Sequence, residues 1–488
     1  MIAMPVRIVW VLSTRMSHLS PDERTSKVKS RLVLTIMILP GLSLVGSNAV
    51  MAGSNDPNTE ATKTVEDRLA ELEQNQRIME RQLEIEREQT AEKAKTTPLV
   101  TASAKEGFSI KSPDGDFSLR LRGLLQVDSR SVSGRADPKA SDDTLLLRRA
   151  RPFFEGTVFG DVDFRLVPDF GEGKAAIQDA YLDFKYIPEA KLQVGRYKVP
   201  FGIERLQSNA DTLFTELALS GNLTPNYDLG ATFHSETLWG GKLSYAVGVF
   251  NGAVDNGSID SDVDDSKELA ARILATPWKG GDIPLLDGLG IGFAVTAGKK
   301  DGSASRGQYL PSYKTPGQQT LFKYRDDVFA DGEAIRYSPQ AYYSYGSFGL
   351  LAEYIVSSQE VVRGTNSDKL QNKGWQVAAS YVLTGEAASY KSVVPRWVFD
   401  PVAKTWGAFE VVGRLSHLDV DDEAFPTYAD PAKYAQSAKA WGLGLNWYWN
   451  RNVKWMFDYE HTTFDGGEAG GRDREAEDAI LVRAQLAF

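Results

Sequence analysis

The sequence contains no cysteine in 488 residues. That excludes a disulfide frame, a zinc–thiolate site and a thiol nucleophile. Histidine is scarce, at four residues. His234, His417 and His461 fall in the strand-rich part of the chain, with no local motif supplying the acid or serine that a hydrolase would set beside them. There is no basic excess either: the formal charge of -10 gives no ground for nucleic-acid binding. Long apolar runs are missing as well. The one run that stands out, Leu32–Val45, stops short of the ~20 residues a spanning helix needs.

That run has the flanks of an export signal. Lys27, Lys29 and Arg31 precede it, and Val50 and Ala52 are small residues placed for cleavage after Ala52. Residues 1–52 therefore read as a signal peptide with an N-terminal extension, and Met16 offers an internal start. Residues 53–106 read as a periplasmic segment. Within Asn55–Ala94, Val65, Leu72 and Met79 share one heptad position and Leu69, Gln76 and Leu83 the other. Two to three such heptads form either a short coiled coil, marginal alone, or a single solvated helix. Lys95–Glu106 reads as a linker. A periplasm-spanning tether is the wrong scale, since about 30 helical residues reach only ~45 Å.

From residue 107 to 488 the apolar period drops to two. Phe117, Leu119, Leu121, Leu125 and Val127 alternate with Ser118, Arg120, Arg122 and Gln126, and similar stretches of roughly ten residues recur to the end. Short turns such as Trp449–Asn452 alternate with long polar loops such as Asp301–Asp331 and Asp419–Tyr434. Trp441, Trp447, Tyr448, Trp449, Trp455 and Tyr459 cluster at strand ends, as an aromatic girdle does. In the final strand Ile480, Val482, Ala484 and Leu486 alternate with Leu481, Arg483 and Gln485, and Phe488 closes the series. The mean hydropathy of -0.31 fits strands of which half the residues face a wet lumen.

Several stretches in this order resemble the phosphate-selective porin O/P family: Arg148-Arg149-Ala150, Asp179-Ala180, Gly195-Arg196, Phe201-Gly202-Ile203-Glu204, Tyr381–Glu386 and Gly442–Tyr448. The resemblance runs through most of Phe108–Phe488. It implies a homotrimer of sixteen-stranded barrels in which a loop, here about Phe201–Asn222, folds inward and narrows the pore. Basic residues on loop and wall would strip water from anions such as phosphate and pass them on.

Arg148 and Arg149 match the paired arginines of that constriction. Neighbouring strand residues point to opposite faces, so a regular strand sends only one inward, and Pro152 marks a place for a bulge. An arginine on the lipid face near mid-membrane costs about 2–4 kcal/mol, which favours the lumen over the face; a subunit contact or a wall salt bridge is the alternative. Asp179 matches an acidic residue set beside the basic cluster, where it orients a cation or forms a plain wall pair. Arg205 stands where the family has a lysine on the inward loop, and Lys198 where members vary. Arg165 and Arg272 are further candidate lumen cations, and Phe488 is assigned to membrane assembly. Two departures stand out. Lys299–Lys314 holds only Lys299, Lys300, Arg306 and Lys314 in place of a dense arginine run, and Leu217 replaces an arginine of the inward loop.

The sequence thus reads as all-β: a transmembrane antiparallel β-barrel of about 16 strands preceded by a short N-terminal coiled-coil helix. The expected function is passive diffusion of small anions, phosphate or polyphosphate/pyrophosphate, with a general or differently selective porin as the alternative. No enzyme activity, cofactor or metal is expected. The expected partners are copies of itself in a homotrimer, outer-membrane lipid and small inorganic anions, with no nucleic acid. The expected location is the Gram-negative outer membrane, with the N-terminal segment in the periplasm.

Overall fold

The computed structural model describes residues 65–134, 143–261 and 265–488. The expected signal peptide and the start of the coiled-coil segment lie outside the described residues.

A helix, α1, spans Val65–Thr96. Its heptad positions Leu69, Leu72, Met79 and Leu83 are all exposed in the single chain. The expected linker turns out to hold structure. Strand β1 (Leu99–Ser103) pairs antiparallel with β2 (Gly107–Lys111), and β2 pairs with the first residues of β3 (Ser118–Ser133). The reason lies in the closing strand, described below, which meets β3 only from Leu124 onward. Without β2, Ser118–Leu121 would present an unpaired edge.

The other strands follow in chain order: β4 (Asp143–Val158), β5 (Val162–Asp169), β6 (Ala176–Phe184), β7 (Lys191–Lys198), β8 (Tyr227–Thr237), β9 (Leu243–Phe250), β10 (Glu268–Ala275), β11 (Gly290–Asp301), β12 (Ser312–Lys314), β13 (Thr320–Lys323), β14 (Phe329–Tyr345), β15 (Phe348–Arg363), β16 (Asn366–Val382), β17 (Ala408–Asp419), β18 (Ala435–Tyr448), β19 (Val453–Glu468), β20 (Arg472–Asp473) and β21 (Glu477–Ala487). Each barrel strand pairs antiparallel with its neighbour, and β21 pairs with both β19 and β3. The sheet therefore closes on itself, with sixteen strands once β1, β2, the loop hairpin β12–β13 and the short β20 are set aside. Closure leaves no free edge inside a membrane.

Alternation decides which face each residue takes. On β21, Ile480 and Leu486 are exposed on the outside, whereas Leu481, Arg483 and Gln485 are buried inside. One expected girdle residue behaves differently. Tyr448 is buried and its hydroxyl donates to Glu410 (2.7 Å), because its place in the alternation turns it to the lumen.

The barrel end where β3 starts and β21 stops is termed proximal, the other distal. Proximal turns are mostly tight: β14 and β15 are joined by Gly346-Ser347, with Gly346 at a φ of 54° that suits glycine. The connections 276–289 and 383–407 are longer, and the second is unusual. It turns back into the barrel, burying Ala388 and Val393.

Residues 199–226, between β7 and β8, enter the lumen from the distal end, as expected for the inward loop. They cross it and bond to the far wall. Gln126 of β3 donates to Asn209 O (2.9 Å), and Gln485 of β21 to Ala210 O (3.1 Å). Lys454 of β19 donates to Thr212 O (3.1 Å), and Asn446 of β18 to Leu213 O (3.0 Å). The amides of Thr215 and Ile203 donate to Asp458 of β19 (2.7 Å) and Glu353 of β15 (3.0 Å). The proximal connection 383–407 meets the same loop from beneath: Tyr390 donates to Ile203 O, and Ser392 Oγ to Ala210 O (2.9 Å). The lumen is thus divided into a packed side behind the loop and an open side in front of it.

Candidate functional site

The open side holds a cavity of about 340 Å³ between the inward loop and the wall from β4 to β8. Seven basic side chains line it against four acidic ones. Arg148, Arg149, Arg151 and Lys198 come from the wall, Arg205 from the inward loop, and Lys174 and Lys314 from distal connections.

Both expected arginines reach the lumen, by a local irregularity of β4. Gln126 of β3 faces Arg149 and Val127 faces Leu147, so Arg148 is the extra residue of a β-bulge. The bulge sits at Arg148 itself, four positions before Pro152, where the sequence suggested one. It lets consecutive residues share a face. Leu147, just before it, stays exposed on the outside.

The cations then divide by partner. Arg148 is compensated: its Nε lies 3.1 Å from Glu216 Oε1 and its Nη1 2.6 Å from Glu172 Oε1. Arg151 is compensated by Asp169 at 2.7 Å. Among the described residues Arg149 has no such partner. Its Nη1 donates to the neutral Gln126 Oε1 (2.7 Å), and its Nε finds no acceptor among the described residues. Lys198 donates to the carbonyls of Arg205 (2.7 Å) and Gln207 (2.8 Å). Arg205 donates to Thr224 Oγ1 (2.8 Å), Gly221 O (2.8 Å) and Asn256 Oδ1 (2.7 Å), all neutral. Burial pulls the Arg205 guanidinium down from its usual range, while Glu204 and Glu353 hold it up, so that it keeps its charge at neutral pH.

Arg165 and Asp179 pair with each other (3.1 Å), and Glu155 also meets Arg165 (3.4 Å). Neither lines the cavity. Arg272 lines a second chamber of about 390 Å³, with Tyr181, Tyr197, Tyr245 and Lys198. Lys198 thus borders both spaces. Arg272 donates to the neutral Gln340 Oε1 (3.1 Å).

Phe488 lies at the proximal rim, half-buried rather than free. Its N–H and C=O exchange hydrogen bonds with Gly123 (both 3.0 Å), and its ring meets Phe108 edge-on at 6.1 Å. A Cβ on Gly123 would come within 2.7 Å of that ring, so any other residue there would push the ring aside.

The cavity residues that went unpredicted include Arg151, Lys174 and Glu216. Arg151 was legible, since two positions from Arg149 on a strand means the same face. Lys174 and Glu216 sit in connections, where no periodicity says which way a side chain turns. Burial works against ionisation of Glu216, but Arg148, Arg483 and Arg149 together outweigh it and hold the carboxyl well below the usual range.

The family model for phosphate-selective porins O and P matches residues 118–488. Porin O of Pseudomonas aeruginosa is 24% identical over 428 residues, covering 80% of this chain and 92% of that protein. Among solved structures, the outer-membrane channel DcaP of Acinetobacter baumannii superposes with a TM-score of 0.51 at 13% identity. That likeness covers 78% of this chain and 99% of the other, and it is one of fold.

Proposed function

We propose, for a chain that belongs to the phosphate-selective porin O and P family and forms a non-enzymatic outer-membrane channel, that the solute is a small anion, with phosphate the chief candidate. The observation that carries this reading is the row of buried cations without a carboxylate partner among the described residues: Arg149, Lys198 and Arg205. A buried charge facing only neutral dipoles is costly, and a mobile counter-ion relieves that cost. An anion arriving in the cavity would exchange water for guanidinium and ammonium donors, and Arg offers a planar fork that suits an oxyanion. It would then pass Lys198, which borders both chambers, to reach Arg272. Neutral dipoles and nearby acids keep such a site from holding its ion too long, as conduction requires.

The long loops then face the exterior and the helix α1 the periplasm. Exposed Leu69, Leu72, Met79 and Leu83 suit contact between copies, three being the number the family resemblance implies. One observation favours the alternative, a porin without a phosphate site. In the segment matching the family's arginine run, Lys300 is spent on Glu268 (3.3 Å) and Arg306 on Asp301, leaving Lys314 to line the cavity.

Reversal potentials in a KCl gradient across planar bilayers, followed by titration with phosphate, test the reading. Anion selectivity with concentration-dependent block of chloride current is expected. Selectivity without block would keep the anion channel and discard phosphate; cation selectivity would overturn both.

A further inference from the structure

The inward loop carries its own anion into the arginine cluster. The carboxylate of Glu216 lines the cavity, and it takes Arg130 Nη2 at 3.1 Å, Arg148 Nε at 3.1 Å and Arg148 Nη2 at 3.4 Å. Glu216 is only 6% exposed. Structural anchoring does not account for this side chain, because the loop around it is held by other groups. Thr215 N donates to Asp458, Glu216 O accepts from Arg414 Nη1 (2.9 Å), and Ala218 N donates to Glu204 (3.1 Å). The carboxylate bridges Arg130 of β3 and Arg148 of β4. Next to it on β4 stands Arg149, without a carboxylate partner and with an unused Nε.

We propose that Glu216 is a tethered competitor of the permeating anion: it occupies donors of Arg130 and Arg148 that an oxyanion at Arg149 would otherwise recruit, and so sets how tightly the channel holds its solute. This rests on the anion-channel reading above. With the carboxylate present, an arriving oxyanion finds Arg149 open but the adjoining fork taken and a like charge beside it. Entry is favoured by the surrounding cations, and release is hastened by Glu216. Removing the charge should convert a fast, weak site into a slow, tight one.

The test compares inorganic phosphate block of chloride current in the wild-type channel with Glu216→Gln, Glu216→Asp and Glu172→Gln. Heat-modifiable migration of each variant reports that the barrel has folded. Glu216→Gln should lower the half-blocking phosphate concentration on the order of tenfold and lengthen the blocked times, since charge-assisted donors are released to the solute. Glu216→Asp keeps the charge and should stay within about twofold of wild type. Glu172 also meets Arg148 but is half out in solvent, so Glu172→Gln should shift the block by less than half as much on a logarithmic scale. Unchanged or weaker block in Glu216→Gln, with wild type still anion-selective and blocked by phosphate, overturns the competitor role and leaves the channel reading intact. Equal effects of Glu172→Gln and Glu216→Gln also overturn it, because they would reflect net charge rather than shared donors. A wild-type channel with neither anion preference nor block would remove the premise and the proposal together.

Discussion

The two sides of the inward loop carry similar side chains and treat them differently. Behind the loop, each large buried arginine is locked to acids. Arg336 meets Asp255 (2.5 Å) and Glu268 (2.6 Å), Arg414 meets Glu204 (3.2 Å) and Glu460, and Arg483 meets Asp128 through two bonds of 2.7 and 2.6 Å. In front of it, Arg149, Lys198 and Arg205 face neutral acceptors. A count of lumen arginines therefore says little about selectivity. A compensated arginine is wall; an uncompensated one offers its field to whatever passes. The net charge of -10 is likewise no guide to the pore.

Reversing Arg149 and Arg205 together to Glu should turn the reversal potential from anion- toward cation-selective. Reversing Lys433, an exposed loop residue, should leave it nearly unmoved, because charges in open solution are screened within about 8–10 Å. Equal responses would show the two sets to be equivalent.

Behind the loop the expected damage is to stability. Arg483→Gln leaves Asp128 buried without its cation, which costs about 3–5 kcal/mol. The temperature at which the folded band is lost on gels should fall, while channels that do insert keep their ion preference. A change of selectivity at unchanged stability would reverse the assignment of the two sides.

Phe488 belongs to neither side. Replacing it with Ala should reduce the amount of barrel reaching the outer membrane and leave single-channel conductance alone. Unaltered surface levels would make it an ordinary closing residue.

A smaller effect sharpens the picture of the front. Arg272→Gln removes one uncompensated cation from the second chamber, and the anion preference should drop about two- to threefold with phosphate block unchanged. Smallest of all is the response to pH. Arg148 holds the Glu216 carboxyl below the usual range, so Glu216 stays ionised as pH falls from 8 to 5 and loses its charge only under far more acid conditions. Arg205 stays protonated throughout that window. The sign of the difference in phosphate block between wild type and Glu216→Gln should therefore hold from pH 8 to 5, and its disappearance inside that window would show that Glu216 gives up its charge there.

Much of the architecture was legible from periodicity. The alternation at Ile480–Leu486 gave the facing of β21, and turn spacing gave the strand number. Arg148, Arg149 and Lys198 were marked by the family resemblance, and strand alternation by itself left open which of the two arginines turns inward. The bulge was harder. Proline suggested Pro152, yet the extra residue is Arg148, since a bulge arises from how two strands register and β4 alone carries half of that information. Glu216 was out of reach for a related reason: loop residues take their direction from partners scattered across the wall, here Asp458 and Arg414. Nothing in the periodicity of the connection 383–407 says which way it turns. Its fold back into the barrel depends on Ile203 and Ala210 of the inward loop, remote in sequence.

The inward loop leaves β7, returns to β8, and in between is bonded to β3, β15, β18, β19 and β21. It is a chord across a hoop. Bilayer pressure pushes on a barrel from the side, and an empty hoop yields by flattening into an ellipse. A bonded chord resists that deformation along its own length, so the open passage should keep its outline when lipid thickness or packing changes. The same segment that narrows the bore thereby keeps it in shape.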